Sequence, residues 1–367
     1  MRKIVLSAIP LLVANSAIAS INLDDAGKVK AYGDIRLRME VEDKSAASGD
    51  QERERTQVRA RIGLKFKPNK EWGANVRLAT NSDSGVSTNQ DLSTDSNDKN
   101  TEFGLDRALI QYTPEKASGL AITAGKMSMP HESNSSQFFD SDQHIDGFSA
   151  AYIYRDETRG TTKFTFTHGI LNEGGFGNDD DLFHGQLSYI APTIKDVKLN
   201  VSISATHLNI DDNKYQASEV LGISGRADYK SARLAFDLYN TDSDEDHLGL
   251  VLQGRYAINK ELGVRAYYYY IEAFSMPADG RYSQNDFSTL GSFGVTNFKG
   301  IRLQVDYKLA KNTDANLRLY SMEQIKSTGA IANDLGFANW DNVTGFTDAI
   351  SLDEDKVRLQ ANLTVKF

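Results

Sequence analysis

Apolar and polar residues alternate without interruption over the last eleven residues of the chain, Val357 to Phe367. Val357, Leu359, Ala361, Leu363, Val365 and Phe367 fall on one parity, and Arg358, Gln360, Asn362, Thr364 and Lys366 on the other. A period of two belongs to a strand with two unlike faces. The pattern recurs in about 16 segments: 29–41, 57–67, 71–80, 103–112, 119–126, 147–154, 162–169, 183–190, 196–206, 219–229, 231–239, 247–257, 262–272, 299–308, 314–322 and 356–367. Most are near the roughly 9–11 residues with which a tilted strand crosses a bilayer. Two architectures fit such alternation. A soluble sandwich turns its apolar faces to a core, whereas a membrane barrel turns them to lipid and its polar faces to a wet lumen.

The connections decide between them. Read from these segments they alternate between long (42–56, 81–102, 127–146) and short (Pro68-Asn69-Lys70, 113–118, 155–161) along the chain. Long outer loops against short periplasmic turns are how outer-membrane barrels are built. Aromatics supply an independent regularity. Phe66, Tyr112, Tyr154, Tyr189, Tyr229, Tyr256, Tyr307 and Phe367 each end an even-numbered segment on its apolar parity, and Trp72 opens the third. Rings at matched heights form a girdle at the membrane–water interface. No proline falls inside a segment, and the apolar faces, such as Leu199, Val201 and Ile203, are read as free of charge. The expected fold is all-β: an antiparallel transmembrane β-barrel of about 16 strands, with its third long loop folded into the lumen.

Composition fits this reading. Met1-Arg2-Lys3, an apolar run from Ile4 to Val13 and Ala17-Ile18-Ala19 have the form of a signal peptide spanning 1–19, leaving a barrel domain at 20–367. The mean hydropathy of −0.45 is no obstacle, because a barrel needs only half its strand residues to be apolar. The chain has no cysteine, so closure of the sheet replaces disulfides, and its net charge of −9 argues against a nucleic-acid partner. Six scattered histidines, with neither H-x-x-x-H nor G-x-S-x-G spacing, give no catalytic constellation, so no enzyme and no cofactor are expected.

The candidate chemistry lies in the lumen. Arg36, Arg38, Arg59, Arg61, Arg77 and Arg107 fall on the lumen parity of the first four segments, close enough to form one basic wall. Arg226, Arg233, Arg255, Arg265, Arg302, Arg318 and Arg358 follow further round. Glu132, Asp140, Asp142 and Asp146 of the third loop are the candidate opposing wall, across which a transverse field would orient solutes. No resident metal is expected; the alternative is Ca²⁺ held by Asp140, Asp142 and Asp146, with His144, which share one side of an extended stretch.

Ala31-Tyr32-Gly33-Asp34-Ile35-Arg36-Leu37-Arg38, Arg59-Ala60-Arg61-Ile62-Gly63-Leu64, the Trp72–Thr80 stretch and Leu105-Asp106-Arg107-Ala108-Leu109-Ile110-Gln111-Tyr112 resemble the opening of the putative porin family of Gram-negative outer membranes. Ala124-Gly125-Lys126-Met127, Phe139-Asp140-Ser141-Asp142 and Asp146-Gly147 resemble that family's passage into its constriction loop. The resemblance implies an outer-membrane location and a passive diffusion channel for small hydrophilic solutes. It further implies a homotrimer among lipid and lipopolysaccharide, and recognition of the terminal strand by barrel assembly machinery. The alternative is a barrel acting mainly as an adhesin or receptor through the loops 273–298 and 323–355.

Overall fold

The structure, a computed structural model, describes residues 20–45, 50–80, 87–92, 102–135, 137–139, 142, 144–172, 180–209, 218–276, 296–326 and 355–367. In chain order the strands begin with β1 (Ser20–Asn22), β2 (Val29–Ser45), β3 (Gln51–Phe66), β4 (Trp72–Thr80), β5 (Gln90–Asp91) and β6 (Phe103–Tyr112). They continue with β7 (Leu120–Ser128), β8 (His144–Asp156), β9 (Gly160–Asn172), β10 (Asp180–Ile190), β11 (Val197–Asn209) and β12 (Glu219–Tyr229). The last six are β13 (Ala232–Thr241), β14 (Leu248–Ala257), β15 (Leu262–Ile271), β16 (Phe298–Ala310), β17 (Thr313–Gln324) and β18 (Asp355–Lys366). Consecutive strands pair antiparallel and β18 pairs back onto β2, so the sheet closes. Sixteen strands make the wall; β1 and β5 are short additions to it.

The seam is tight. Phe367 and Gly33 exchange backbone hydrogen bonds of 2.9 and 3.1 Å, and the terminal ring lies over Gly33. A Cβ there would meet the ring at 2.5 Å and the Arg61 carbonyl at 2.2 Å. The edge of β2 beyond Phe367 is taken by β1, with Ser20 opposite Tyr32. On the other side of β2, β4 stops at Thr80 while β3 runs on, and β5 fills the gap by pairing with Gln57 and Val58. Unpaired edges are thereby removed, as a barrel requires.

Apolar parity faces outward. Leu199, Val201 and Ile203 are 45, 52 and 56% exposed, which in a membrane barrel is contact with lipid. Phe66, Trp72, Tyr154, Tyr189, Tyr229, Tyr256 and Tyr307 are also exposed at the short-turn end, with Tyr112 packed on Trp72 at 4.6 Å. The Tyr189 hydroxyl donates to the Arg159 carbonyl at 2.7 Å, and Lys230 caps the Tyr229 ring.

Two expectations about the outer end need correction. The segment 42–56 is not a long loop: β2 and β3 continue as a ladder to Lys44 opposite Gln51. Cross-strand ion pairs explain the extension, with Glu40 to Arg55 at 2.6 Å and Glu42 to Arg53 at 3.0 Å. Nor is the outward face wholly free of charge. Lys126 and Asp146, His168 and Asp181, and His207 and Glu219 occur there as pairs at 3.6, 2.9 and 3.8 Å, all near the long-loop ends of β7–β12. The loops 273–298 and 323–355 lie largely outside the described residues.

Candidate functional site

Inward residues of β2–β6 carry the basic wall, because alternate residues of a strand share a face. Arg36 and Arg59 are direct register partners, as are Asp34 and Arg61, and Arg77 lies opposite Arg107 across β4 and β6. The structure therefore brings all six arginines of this wall onto one stretch of barrel.

Loop 3 leaves β7 after Ser128 and crosses the lumen. Its Glu132 amide donates to Gln186 Oε1 at 2.8 Å, and the Gln186 amide returns a bond to the Glu132 carbonyl at 2.8 Å. Further on, the Asn134 amide donates to both carboxylate oxygens of buried Asp237 at 3.0 Å. Asn134 Nδ2 reaches the carbonyls of Gly225 and Phe236 at 3.1 Å. Phe138 and Phe139 then pack among His131, His184 and Tyr239. Beneath them lie Leu182, Leu208 and Val220, all buried apolar residues on the lumen side. An apolar patch inside a wet barrel is stable only when something covers it. Loop 3 is that cover.

The return limb carries Asp142 to the opposite wall. Its carboxylate lies 3.6 Å from Arg59, 3.3 Å from Arg61 and accepts a bond from Thr88 at 3.2 Å. Asp34 contacts the same two guanidiniums, at 2.8 Å for Arg59 and 2.7 Å for Arg61. Two arginines and two aspartates thus form a tetrad with no net charge. Burial alone would raise the Asp142 pKa, yet Arg59, Arg61 and Arg36 hold it well below the ordinary carboxylate range.

The other arginines of the wall differ in compensation. Arg77 pairs with buried Asp106, whose other oxygen lies 3.7 Å from His144. Arg38 donates to Asn362 at 2.7 Å, Arg36 to Asn89, and Arg107 to Ser128 at 2.6 Å. Six arginines against Asp34, Asp106 and Asp142 leave the wall net positive, with Asp34 and Asp142 offsetting Arg59 and Arg61, and Asp106 offsetting Arg77.

The loop acids are not equivalent either. Of the four, Asp142 alone is placed on the arginine wall among the described residues. Glu132 faces the other way and binds Lys163 at 2.5 Å. Asp146 belongs to β8 and points outward to Lys126 at 3.6 Å, and Asp140 lies outside the described residues. The Ca²⁺ alternative loses its geometry with this. Asp142 points into the lumen and Asp146 out of the barrel, so they share no side, and the described residues contain no cluster of three metal-ligating side chains.

Several partners escaped sequence reasoning. Thr88, Asn89 and Asp91 come from the second loop, which lies on β3 and contacts Asp142, Arg36 and Gln57; their polar run has no distinguishing pattern. Asn134 and Asp237 are likewise silent in the sequence. The apolar patch was legible in principle. Leu182-Phe183, Leu208 beside His207, and Val220-Leu221 put an apolar residue on the lumen parity at the outer ends of β10–β12.

Residues 16–180, just under half of the chain, match the family described as putative porin. No curated protein sequence matches. The fold is similar to that of OprB from Pseudomonas putida, at 9% identity and a TM-score of 0.57, covering 92% of this chain and 94% of that one. It is also similar to an anion-selective porin from Comamonas acidovorans, at 12% identity and a TM-score of 0.53, covering 92% and 99%. OmpF from Salmonella typhi, in complex with daunomycin, matches at 12% identity and a TM-score of 0.51, covering 95% and 100%. The N-terminal part therefore matches the putative porin family, and the chain has the closed barrel fold of porins along nearly its whole length.

Proposed function

We propose that the barrel conducts small hydrophilic solutes and ions by passive diffusion through the gap between loop 3 and the arginine wall. A lumen of about 16 strands is wide enough for water, and an internal loop narrows it. The observation that carries this reading is the two-ended anchoring of loop 3, at Asn134–Asp237 on one side and Asp142–Arg59/Arg61 on the other. A loop fixed at both ends sets a constant aperture rather than a lid. The net positive charge of the six-arginine wall supports a preference for anions in the constriction.

Removal of a signal peptide at 1–19, insertion through the terminal strand by barrel assembly machinery, contact with lipopolysaccharide and assembly as a homotrimer complete the proposal; the first rests on the residues of 1–19 and the others on the family resemblance. Single-channel recording of detergent-folded protein in a planar bilayer under a KCl gradient tests it. Stable ohmic steps with a chloride-favouring reversal potential are expected. A folded, inserted protein that passes no current would overturn the reading.

A further inference from the structure

A second basic group lies on the far wall, toward the short-turn end. Arg233 of β13, Arg255 of β14 and Arg265 of β15 are successive register partners, so their Cα atoms stand in one row, about 5 Å apart from strand to strand. All three are on the lumen parity. The row sits four residues along β13 from Asp237, the anchor of loop 3, which is about 13 Å toward the short turns.

Its outer members are compensated. Arg233 binds Asp228 at 2.6 Å, and Asp228 also takes Arg226 at 3.0 Å. Arg265 binds Asp306 at 2.6 Å. Arg255, between them, is exposed and has no ion pair or hydrogen bond among the described residues. Four arginines against two aspartates leave two positive charges in excess, centred on the one side chain whose five donors are unused.

We propose that Arg255, flanked by Arg233 and Arg265, is a binding site for small oxyanions at the periplasmic mouth of the channel. A guanidinium fork matches the paired oxygens of phosphate or carboxylate. The neighbouring guanidiniums, held in place by Asp228 and Asp306, supply further donors and positive potential without needing to reorganise. The site would gather anions on the exit side of the constriction. It rests on the channel reading for its role but not for its existence.

Inorganic phosphate is the probe, added to one side of a single channel carrying chloride. Phosphate on the short-turn side should reduce the chloride current saturably, and at lower concentration than from the other side. Arg255→Gln should raise the half-saturating concentration at least about tenfold, the effect of losing a charge-assisted bidentate contact, and Arg255→Lys should restore part of it. Isothermal titration of detergent-folded wild type and Arg255→Gln with phosphate reads the same site without current. Equal, non-saturating responses in both proteins and both assays would overturn the site while leaving the channel intact. Arg255-dependent binding in a protein that carries no current would uphold the site and overturn the channel reading.

Discussion

The two basic walls are built from the same residue and behave differently. On β2–β6 the arginines beneath loop 3 are locked into carboxylates, Arg59 and Arg61 with Asp34 and Asp142 and Arg77 with Asp106. On β12–β16 the acids pair with the flanking arginines and leave the central one open to solvent. Buried guanidiniums in a crowded constriction require compensation, since an unpaired charge there costs several kcal/mol. At exposed Arg255 water does that work. Hence a guanidinium's share in the field is set by which carboxylates share its register, not by its prominence in the sequence.

The comparison breaks most visibly at the tetrad. Changing Arg59 and Arg61 together to glutamine would leave Asp34 and Asp142 without the two guanidiniums they share, a wall richer in negative charge rather than a neutral one. The reversal potential under a KCl gradient should move strongly toward potassium, further than the loss of any two unpaired arginines would move it. A shift no larger than that of Arg36→Gln would mean that the tetrad is not on the ion path. Deleting 132–143 separates aperture from charge: it removes the loop and Asp142 together, so conductance should rise while selectivity moves toward chloride. Unchanged conductance would place the loop outside the pore.

The far wall gives a finer test. Arg255→Gln removes one charge and strands nothing, whereas Arg265→Gln also leaves Asp306 without its guanidinium partner. The Arg265 variant should therefore shift selectivity toward cations more than the Arg255 variant does. Equal shifts would show that pairing across this wall does not matter to passing ions.

Strand number and closure were legible because they follow from period-2 alternation, which local chemistry fixes. Phe66, Tyr154, Tyr229 and Tyr256 stand where the pattern puts them. The inward course of loop 3 was legible only as a suggestion from its acids. Its real anchors, Asn134 on Asp237 and the aromatic pair on Leu182, Leu208 and Val220, join residues far apart in the chain, which no local pattern encodes. Asp146 shows the same limit from the other side. One residue of register decides whether a side chain faces lumen or lipid, and the change from loop to strand at His144 put it outside. The long ladder of β2 and β3 was read as a loop because charged runs suggest solvent, whereas here Glu40, Glu42, Arg53 and Arg55 neutralise one another across the strands.

The smallest expected effect is in pH, and it concerns the anchor that lies between the walls. His131 is half-buried against Phe138 and Phe139, with its Nδ1 3.4 Å from His184 Nε2. Burial, reinforced by His184, keeps its pKa well below the ordinary 6.5. In the docked loop the ring is neutral, while in an undocked loop it would titrate at its ordinary value. Docking is thus fully favoured above about pH 6.5 and loses stability progressively as the pH falls below it. The open-channel current should become noisier, with brief excursions to higher conductance, as pH is lowered from 7 to about 5. His131→Gln, which cannot titrate, should flatten that dependence. If the noise still rises in His131→Gln, another group releases the loop. If it rises in neither protein, the hydrogen bonds at Asp237 and the apolar cover outweigh the cost of the buried imidazolium, and the aperture between the two walls is fixed across the whole range.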